Sequence, residues 1–215
     1  MSINYERLKN TVLKLDKNTY NHCVRVYKLA KAYEEINGND SVLSAAALLH
    51  DIGKTYISHN ILDKPFALTT LEREIINLHS YIGYQLLKDL NLKEEIAYIV
   101  CMHHGMNLQS ASQYKEVDYD KLVSLAKKLH TIDAFDAMIT NRPYRNSIPV
   151  KTAISIELDD AFSDPEVIDF LNDNHIASIV NKAIDIEKVL YKIAEEEKQF
   201  FDIDFPKILV PVLKE

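Results

Sequence analysis

Cysteine is nearly absent from this chain. Cys23 and Cys101 are the only two among 215 residues, and neither sits in a C-x-x-C pair, so no disulfide framework is expected. Glycine and proline are scarce as well, four and six residues, which argues against a turn-dense all-β fold and against a disordered linker. The N-terminal run Met1–Arg7 lacks the basic and apolar regions of a secretory signal. No stretch approaches the roughly 18 consecutive apolar residues of a membrane span. The expectation is a cytoplasmic protein in a reducing compartment, without membrane contact. A basic excess is missing too: 25 Lys and Arg stand against 32 Asp and Glu, a net charge of -7. That excludes a general grip on long nucleic acid, which needs a basic footprint. It leaves room for a small anionic ligand held by a few local cations.

What is present is a globular mixture, 47% hydrophobic and 27% charged, with eight histidines as its one compositional oddity. A chain of this length buries about 70% of its unfolded surface and needs no structural cross-link. Helical periodicity dominates. Asn18 or Thr19 opens a helix whose Val24, Val26, Leu29, Ala30 and Tyr33 recur at spacings of three and four, and Gly38 stops it. Val42 to Leu49 is apolar nearly all round, as in a buried central helix, and Gly53 lets the chain leave it. Thr55 to Leu68 reads as a loop. Thr69-x-x-Glu72 is a capping box opening one helix through Leu87. Leu92 to His103, Asp118 to Thr140, Val150 to Phe162, Pro165 to Leu171 and Ile176 to about Phe200 complete the helices, with Asn107 to Val117 a loop. The expected fold is one all-α domain.

Chemistry concentrates where polar residues end apolar helices. His50-Asp51 follows Val42–Leu49, and His103-His104 follows Ala97–Met102. Such groups are costly to bury unless paired or bound to metal. Imidazole with carboxylate is the ligand set of Zn, Fe, Mn or Ni rather than of Ca or Mg. Asp133, in the middle of a helix among Leu129, Ile132 and Ala137, needs a cation if it faces inward. Each residue alone has a blander reading. A single histidine on an apolar face is more often a satisfied core residue, where His59, His130 and His175 are left, and His103-His104 alone suits a helix C-terminus.

Taken together and in order, these residues resemble the HD superfamily of metal-dependent phosphohydrolases, and within it the HD-GYP family. The resemblance runs through His22-x-x-Arg25-Val26, His50-Asp51-Ile52-Gly53-Lys54, Ile61-Leu62-x-Lys64-Pro65, Leu68-Thr69-x-x-Glu72 and His79-x-x-x-Gly83. It continues through His103-His104, Asp133-Ala134-Phe135-Asp136-Ala137-Met138 and Asn141-Arg142-Pro143-Tyr144-Arg145. It departs in two places. The stretch Gly105 to Tyr114 carries none of the GYP motif, and Asn18 stands where some members place a Glu that binds a third metal.

The resemblance implies an HD-domain helical bundle around a two-metal site over residues 1–175, with residues 176–215 a C-terminal helix and tail packed on it. It implies His22, His50, Asp51 and Asp133 on one ion and Asp51, His79, His103 and His104 on the other, with Asp51 bridging. The ions expected are two divalent transition metals, Fe or Mn first, with Zn or Ni as other candidates. A hydroxide bridging them would attack the phosphorus of a nucleotide or cyclic dinucleotide, with Asp51 and Lys54 catalytic and Lys54, Arg142 and Arg145 on the phosphate. Asp136, three residues after Asp133, is expected to support a ligand or the fold rather than to bind metal itself. Partners implied are a small phosphorylated nucleotide and a second copy in a homodimer. A metal-retaining non-catalytic nucleotide sensor or protein-binding module, and a di-iron oxygenase, are the competing functions.

Overall fold

The computed structural model describes residues 3–38, 41–105, 118–141, 145–173 and 176–195. Helix α1 (Ile3–Val12) places Tyr5, Leu8 and Val12 on one buried face, a 3/4 spacing that marks it as an amphipathic helix. The long α2 (Lys17–Asn37) starts one or two residues earlier than Asn18 or Thr19 suggests. Asp16 is its N-cap, and its carboxylate accepts the backbone N–H groups of both. Gly38 ends α2 at φ 73°, its N–H donating to Glu34 O.

Helix α3 (Val42–Leu49) is buried along its whole length and lies against α2. The stretch expected as loop after it contains a 3-10 turn over Ile52–Tyr56 and a single helical turn, α4 (His59–Leu62), capped by Ser58. The capping box at Thr69 forms as expected: Glu72 N–H donates to Thr69 Oγ1 and Thr69 N–H to Glu72. The helix it opens does not run on to Leu87. It breaks at Leu78 into α5 (Thr70–Asn77) and α6 (His79–Asp89), where the His79 Nδ1–H donates to the carbonyl of Ile76.

Helix α7 (Glu94–Met102) packs on α3 and α6, and α8 (Tyr119–Ile139) crosses α2, α3 and α7. Helices α9 (Val150–Asp159) and α10 (Pro165–Asp173) cover α8. The expected single helix from Ile176 is two, α11 (Ile176–Asn181) on α2 and α12 (Ile186–Glu195) on α1, parted by Lys182–Asp185. The core lies where α2, α3, α7 and α8 meet, with Leu29, Leu49, Ile99 and Ile132 fully buried. Among the described residues there is no β-strand, so the fold is all-α.

Gly53 has a purpose other than leaving a helix. Its φ is not positive, and a Cβ there would stand 2.0 Å from His79 O. Absence of a side chain lets the 3-10 turn lie directly on the start of α6 and bring Asp51 to His79.

Candidate metal centre

Three helices end at one point, each with a histidine. His50 caps α3, His79 follows α5 and His103 caps α7. Each ring turns back on its own helix in the same way. Nδ1–H donates to the carbonyl three residues before it: His50 to Ala47 at 2.9 Å, His79 to Ile76 at 2.6 Å and His103 to Val100 at 2.6 Å. A carbonyl only accepts, so each Nδ1 carries a proton, and in the neutral ring Nε2 is then a bare acceptor.

These acceptors face one another and two carboxylates. His79 Nε2 lies 3.4 Å from His103 Nε2 and 3.3 Å from Asp51 Oδ1. His50 Nε2, fully buried, has no hydrogen-bond partner and lies 3.5 Å from Asp51 Oδ2 and 3.6 Å from Asp133 Oδ1. Converging acceptors with no hydrogen between them repel. A cation at their centre removes the repulsion and satisfies His50, so the donor set fits bound metal. His104 is exposed, and its ring lies 3.9 Å from that of His103.

The candidate ligands form three overlapping groups, each with ligand atoms within 4.8 Å of one another: His79, His103 and His104; His22, His50 and Asp51; His50, His103 and Asp133. Asp51 addresses both halves, presenting Oδ1 to His79 and Oδ2 to His50 and, at 3.9 Å, to His22. Burial pushes His79 down to about 3 and His103 well below its ordinary value, so both rings are neutral, as ligands must be.

Helices α2 and α8 supply the third side through a matched pair of i,i+3 spacings. His22 and Arg25 on α2 meet Asp133 and Asp136 on α8. His22 Nδ1 donates to Asp136 Oδ2 at 2.7 Å, and its Nε2 lies 2.8 Å from Asp133 Oδ1. Arg25 donates to both Asp136 oxygens, at 2.8 and 2.9 Å. Burial opposes charge on His22, but the two aspartates outweigh it and raise its pKa to about 9. Asp136 is thus the group that orients His22. From the sequence Asp136 reads as a residue that supports a ligand or the fold rather than as a ligand, and its spacing from Asp133 equals that of Arg25 from His22, the signal that could have paired them. From the sequence His130 reads as a satisfied core residue. It braces the site from behind, its Nδ1 donating to His103 O at 3.0 Å while Nε2 meets Asp160 at 3.1 Å.

Lys54 leaves the 3-10 turn and donates to Asp51 Oδ2 at 2.6 Å. Burial works against charge on both, yet the pairing wins: Asp51 is held well below the usual carboxylate range and Lys54 is raised. Arg145 donates to the carbonyls of Ala137 at 2.6 Å and Met138 at 3.4 Å, at the end of α8. Arg142, Pro143, Tyr144 and the stretch that replaces the GYP motif from Met106 on lie outside the described residues. Beside the centre opens a cavity of about 550 Å³, reached past His22 and Lys54 and bordered by Arg25, Lys64 and Arg73.

A profile of the HD domain matches residues 19–138, more than half of the chain. The chain belongs to the HD domain family. Among curated HD relatives it is 35% identical over 114 residues to the 3'3'-cGAMP-specific phosphodiesterase 3 of Vibrio cholerae, covering 53% of this chain and 25% of that protein. It is 34% identical over 166 residues to the cyclic di-GMP phosphodiesterase of Thermotoga maritima, covering 72% of this chain and 44% of the other. The chain therefore spans less than half the length of these relatives. The HD domain of the Listeria monocytogenes phosphodiesterase PgpH, solved in complex with cyclic-di-AMP, superposes with a TM-score of 0.55 at 21% identity. The match covers 84% of this chain and 99% of that one, a likeness of fold. Among the described residues no helix of this HD domain is long and apolar enough to cross a membrane.

Proposed function

We propose that this HD domain hydrolyses a phosphodiester bond of a cyclic dinucleotide, using two divalent transition metals, Fe or Mn ahead of Zn or Ni. The observation that carries the reading is Asp51, whose two carboxylate oxygens face different halves of the histidine cage. A bridge of that kind serves two ions rather than one. His22, His50, Asp51 and Asp133 would hold one ion, and Asp51, His79, His103 and His104 the other. When bound, such a pair supplies an acidified water and a clamp on a phosphate oxygen.

The chain's own residues do the rest. The three carbonyl-anchored histidines hold Nδ1–H on the backbone with Nε2 aimed inward, and Asp136 holds the Nδ1–H of His22 so that its Nε2 would be the nitrogen to release a proton to a bound metal. Lys54, half-buried beside Asp51, donates to a non-bridging phosphate oxygen and offsets charge gathering there. Arg142 and Arg145, after α8, bind the other phosphate oxygens. Arg145 retains donors beyond those it gives to the two carbonyls, and a guanidinium matches phosphate oxygens in pairs. The adjoining cavity of about 550 Å³ takes the nucleoside. Five imidazoles in the cage favour borderline transition metals over Mg. The two cysteines are buried and in no disulfide, which suits a reducing, cytoplasmic setting.

The likeness to enzymes named for cyclic di-GMP, 3'3'-cGAMP and cyclic-di-AMP supports the substrate class. Metal-loaded protein incubated with a panel of cyclic dinucleotides, followed by chromatography, tests it. Linear dinucleotide or mononucleotide products are expected, lost in Asp51→Asn together with the metals. Full metal content without cleavage of any phosphodiester would leave a sensor or binding module. Oxygen uptake by the reduced iron form would point to an oxygenase.

A further inference from the structure

Among the described residues that line the cavity beside the metal centre, Phe66 is the only Phe, Tyr or Trp, and it is 73% exposed. A single exposed apolar side chain is ordinary on a protein surface. Phe66 is set apart by where the chain holds it. It stands in the middle of the strap that joins α4 to α5, and it shares the cavity with His22, Lys54 and Arg25.

Both ends of that strap are pinned. Lys64 Nζ donates to both Glu72 oxygens at 2.7 Å, and Glu72 is itself fixed by the capping box with Thr69. Leu68 O receives Arg73 Nε at 3.4 Å and Nη2 at 3.3 Å. Only residues 65–67 lie between the two pins, and the ring of Pro65 fixes its own φ. The segment is thus ordered before a ligand arrives, so a contact made by Phe66 loses little conformational freedom on binding.

The rest of the lining says what would cover the ring. Lys54 and Arg25 suit a phosphate, and Asn18 and Asn21 of α2 offer neutral donors and acceptors. A ligand with a phosphate, polar edges and one flat apolar face matches all of these, and a nucleotide has that composition. Every base has a π-face, so an aromatic side chain holds it whatever its edge carries.

We propose that Phe66 is the stacking platform for one nucleobase of the substrate. This rests on the phosphodiesterase reading for where the phosphate sits, and adds the group that holds a base. Because stacking is tolerant of base identity, Phe66 contributes affinity for guanine and adenine alike.

The chain contains no tryptophan, so Phe66→Trp in the full-length, metal-loaded protein places a single reporter on the strap. Rapid mixing with cyclic di-GMP or cyclic di-AMP should quench its emission in the binding phase, before product appears. Ribose 5-phosphate, a phosphate without a base, should not. Phe66→Ala should raise KM for both dinucleotides about 5- to 100-fold, well beyond its effect on kcat, and Phe66→Tyr should restore it. Metal content and urea midpoint of Phe66→Ala should match wild type, since the side chain is exposed. Quenching without cleavage would keep the stacking role and remove the hydrolase reading. Cleavage without quenching would do the reverse. The proposal is also overturned by equal quenching with ribose 5-phosphate, by an unchanged KM in Phe66→Ala, or by calorimetry showing that neither dinucleotide binds.

Discussion

Asp136 takes the Nδ1–H of His22 at 2.7 Å while Arg25 holds both of its carboxylate oxygens. The aspartate is wholly buried, three residues from the candidate ligand Asp133, and itself touches no other candidate ligand. Its effect on metal passes through the histidine, by orienting the ring and keeping the Nδ1 proton when Nε2 gives its own up to a metal. Asp136→Asn keeps the shape but removes the charge that holds that proton. Metal affinity should fall about 10- to 100-fold, the usual loss when a histidine ligand's outer partner is changed. Titration with Mn²⁺ followed by elemental analysis measures it. An unchanged affinity would mean that His22 needs no orienting group.

Gly53 lies against the backbone of His79 so closely that a methyl group would stand 2.0 Å from His79 O and 2.7 Å from Gly83 N. Both neighbours are backbone and cannot rotate away. Gly53→Ala must push the 3-10 turn off α6, at a cost of about 3 kcal/mol, the upper part of the range for overpacking. Because Asp51 precedes this turn, the shift also parts Asp51 from His79. Urea unfolding should show the loss of stability, and metal binding should weaken with it. A midpoint within error of wild type would show that the turn is more mobile than its packing implies.

The part of the site legible in the sequence was the part written in single-residue contrasts. His50, Asp51, His103 and His104 stood out because ionisable groups end helices that are otherwise apolar. The fold class was legible for a related reason, since 3/4 spacing survives in α2, α7 and α8. What escaped depends on pairs brought together from distant positions. Arg25 and Asp136 are 111 residues apart, and neither looks unusual on its own helix. The break at Leu78 escaped because the capping box and the apolar spacing run smoothly across it. At the break the His79 Nδ1–H donates to Ile76 O and the Ser80 hydroxyl to Asn77 O, side-chain bonds that the spacing does not announce.

Glu72 accepts from Thr69 N–H, Thr69 Oγ1 and Lys64 Nζ, and Lys64 first, then the capping box, holds its carboxyl down at about 2 against an ordinary 4.5. A carboxyl whose pKa is lower folded than unfolded adds stability above its unfolded value and loses it as pH falls through the folded one. The contribution is therefore complete above about pH 4.5 and gone below about pH 2. Glu72→Gln should be less stable than wild type at neutral pH, and the gap in urea midpoint should close across that window. A gap that stayed constant down to pH 2 would show that shape rather than charge is what the glutamate contributes.

Cys23 and Cys101 are in no disulfide and almost without solvent exposure. Burial raises both thiols, Cys101 to about 12 and Cys23 well above its ordinary value. The thiolate is the reactive form, so neither should react at neutral pH while the fold holds. A chromogenic disulfide reagent should find no thiol in native protein and two in guanidinium. Fast native labelling of either residue would reveal local opening of α2 or α7.

Lys54 is where apo stability and catalysis separate. In the structure its ammonium sits 2.6 Å from Asp51 Oδ2, the same oxygen that faces His50. Lys54→Met leaves Asp51, 1% exposed, with its main counter-charge removed. Breaking a buried pair by taking one partner costs about 3 to 5 kcal/mol, so the metal-free variant should melt well below metal-free wild type. Added metal supplies the missing charge to Asp51 and stabilises whichever state binds it. The rise in melting temperature on adding Mn²⁺ should thus be larger in the variant than in wild type, and the two loaded proteins should melt close together. Metal content should match, since lysine is no ligand here. Turnover should not recover. Removing one charge-stabilising donor costs about 10²- to 10³-fold in kcat, and nothing else in the variant replaces it at the phosphate. Paired thermal scans and a phosphodiester assay on the same samples separate the two roles. Equal thermal shifts would mean that Lys54 does not hold Asp51 in the metal-free protein. Full turnover with matched metal content would remove Lys54 from the phosphate.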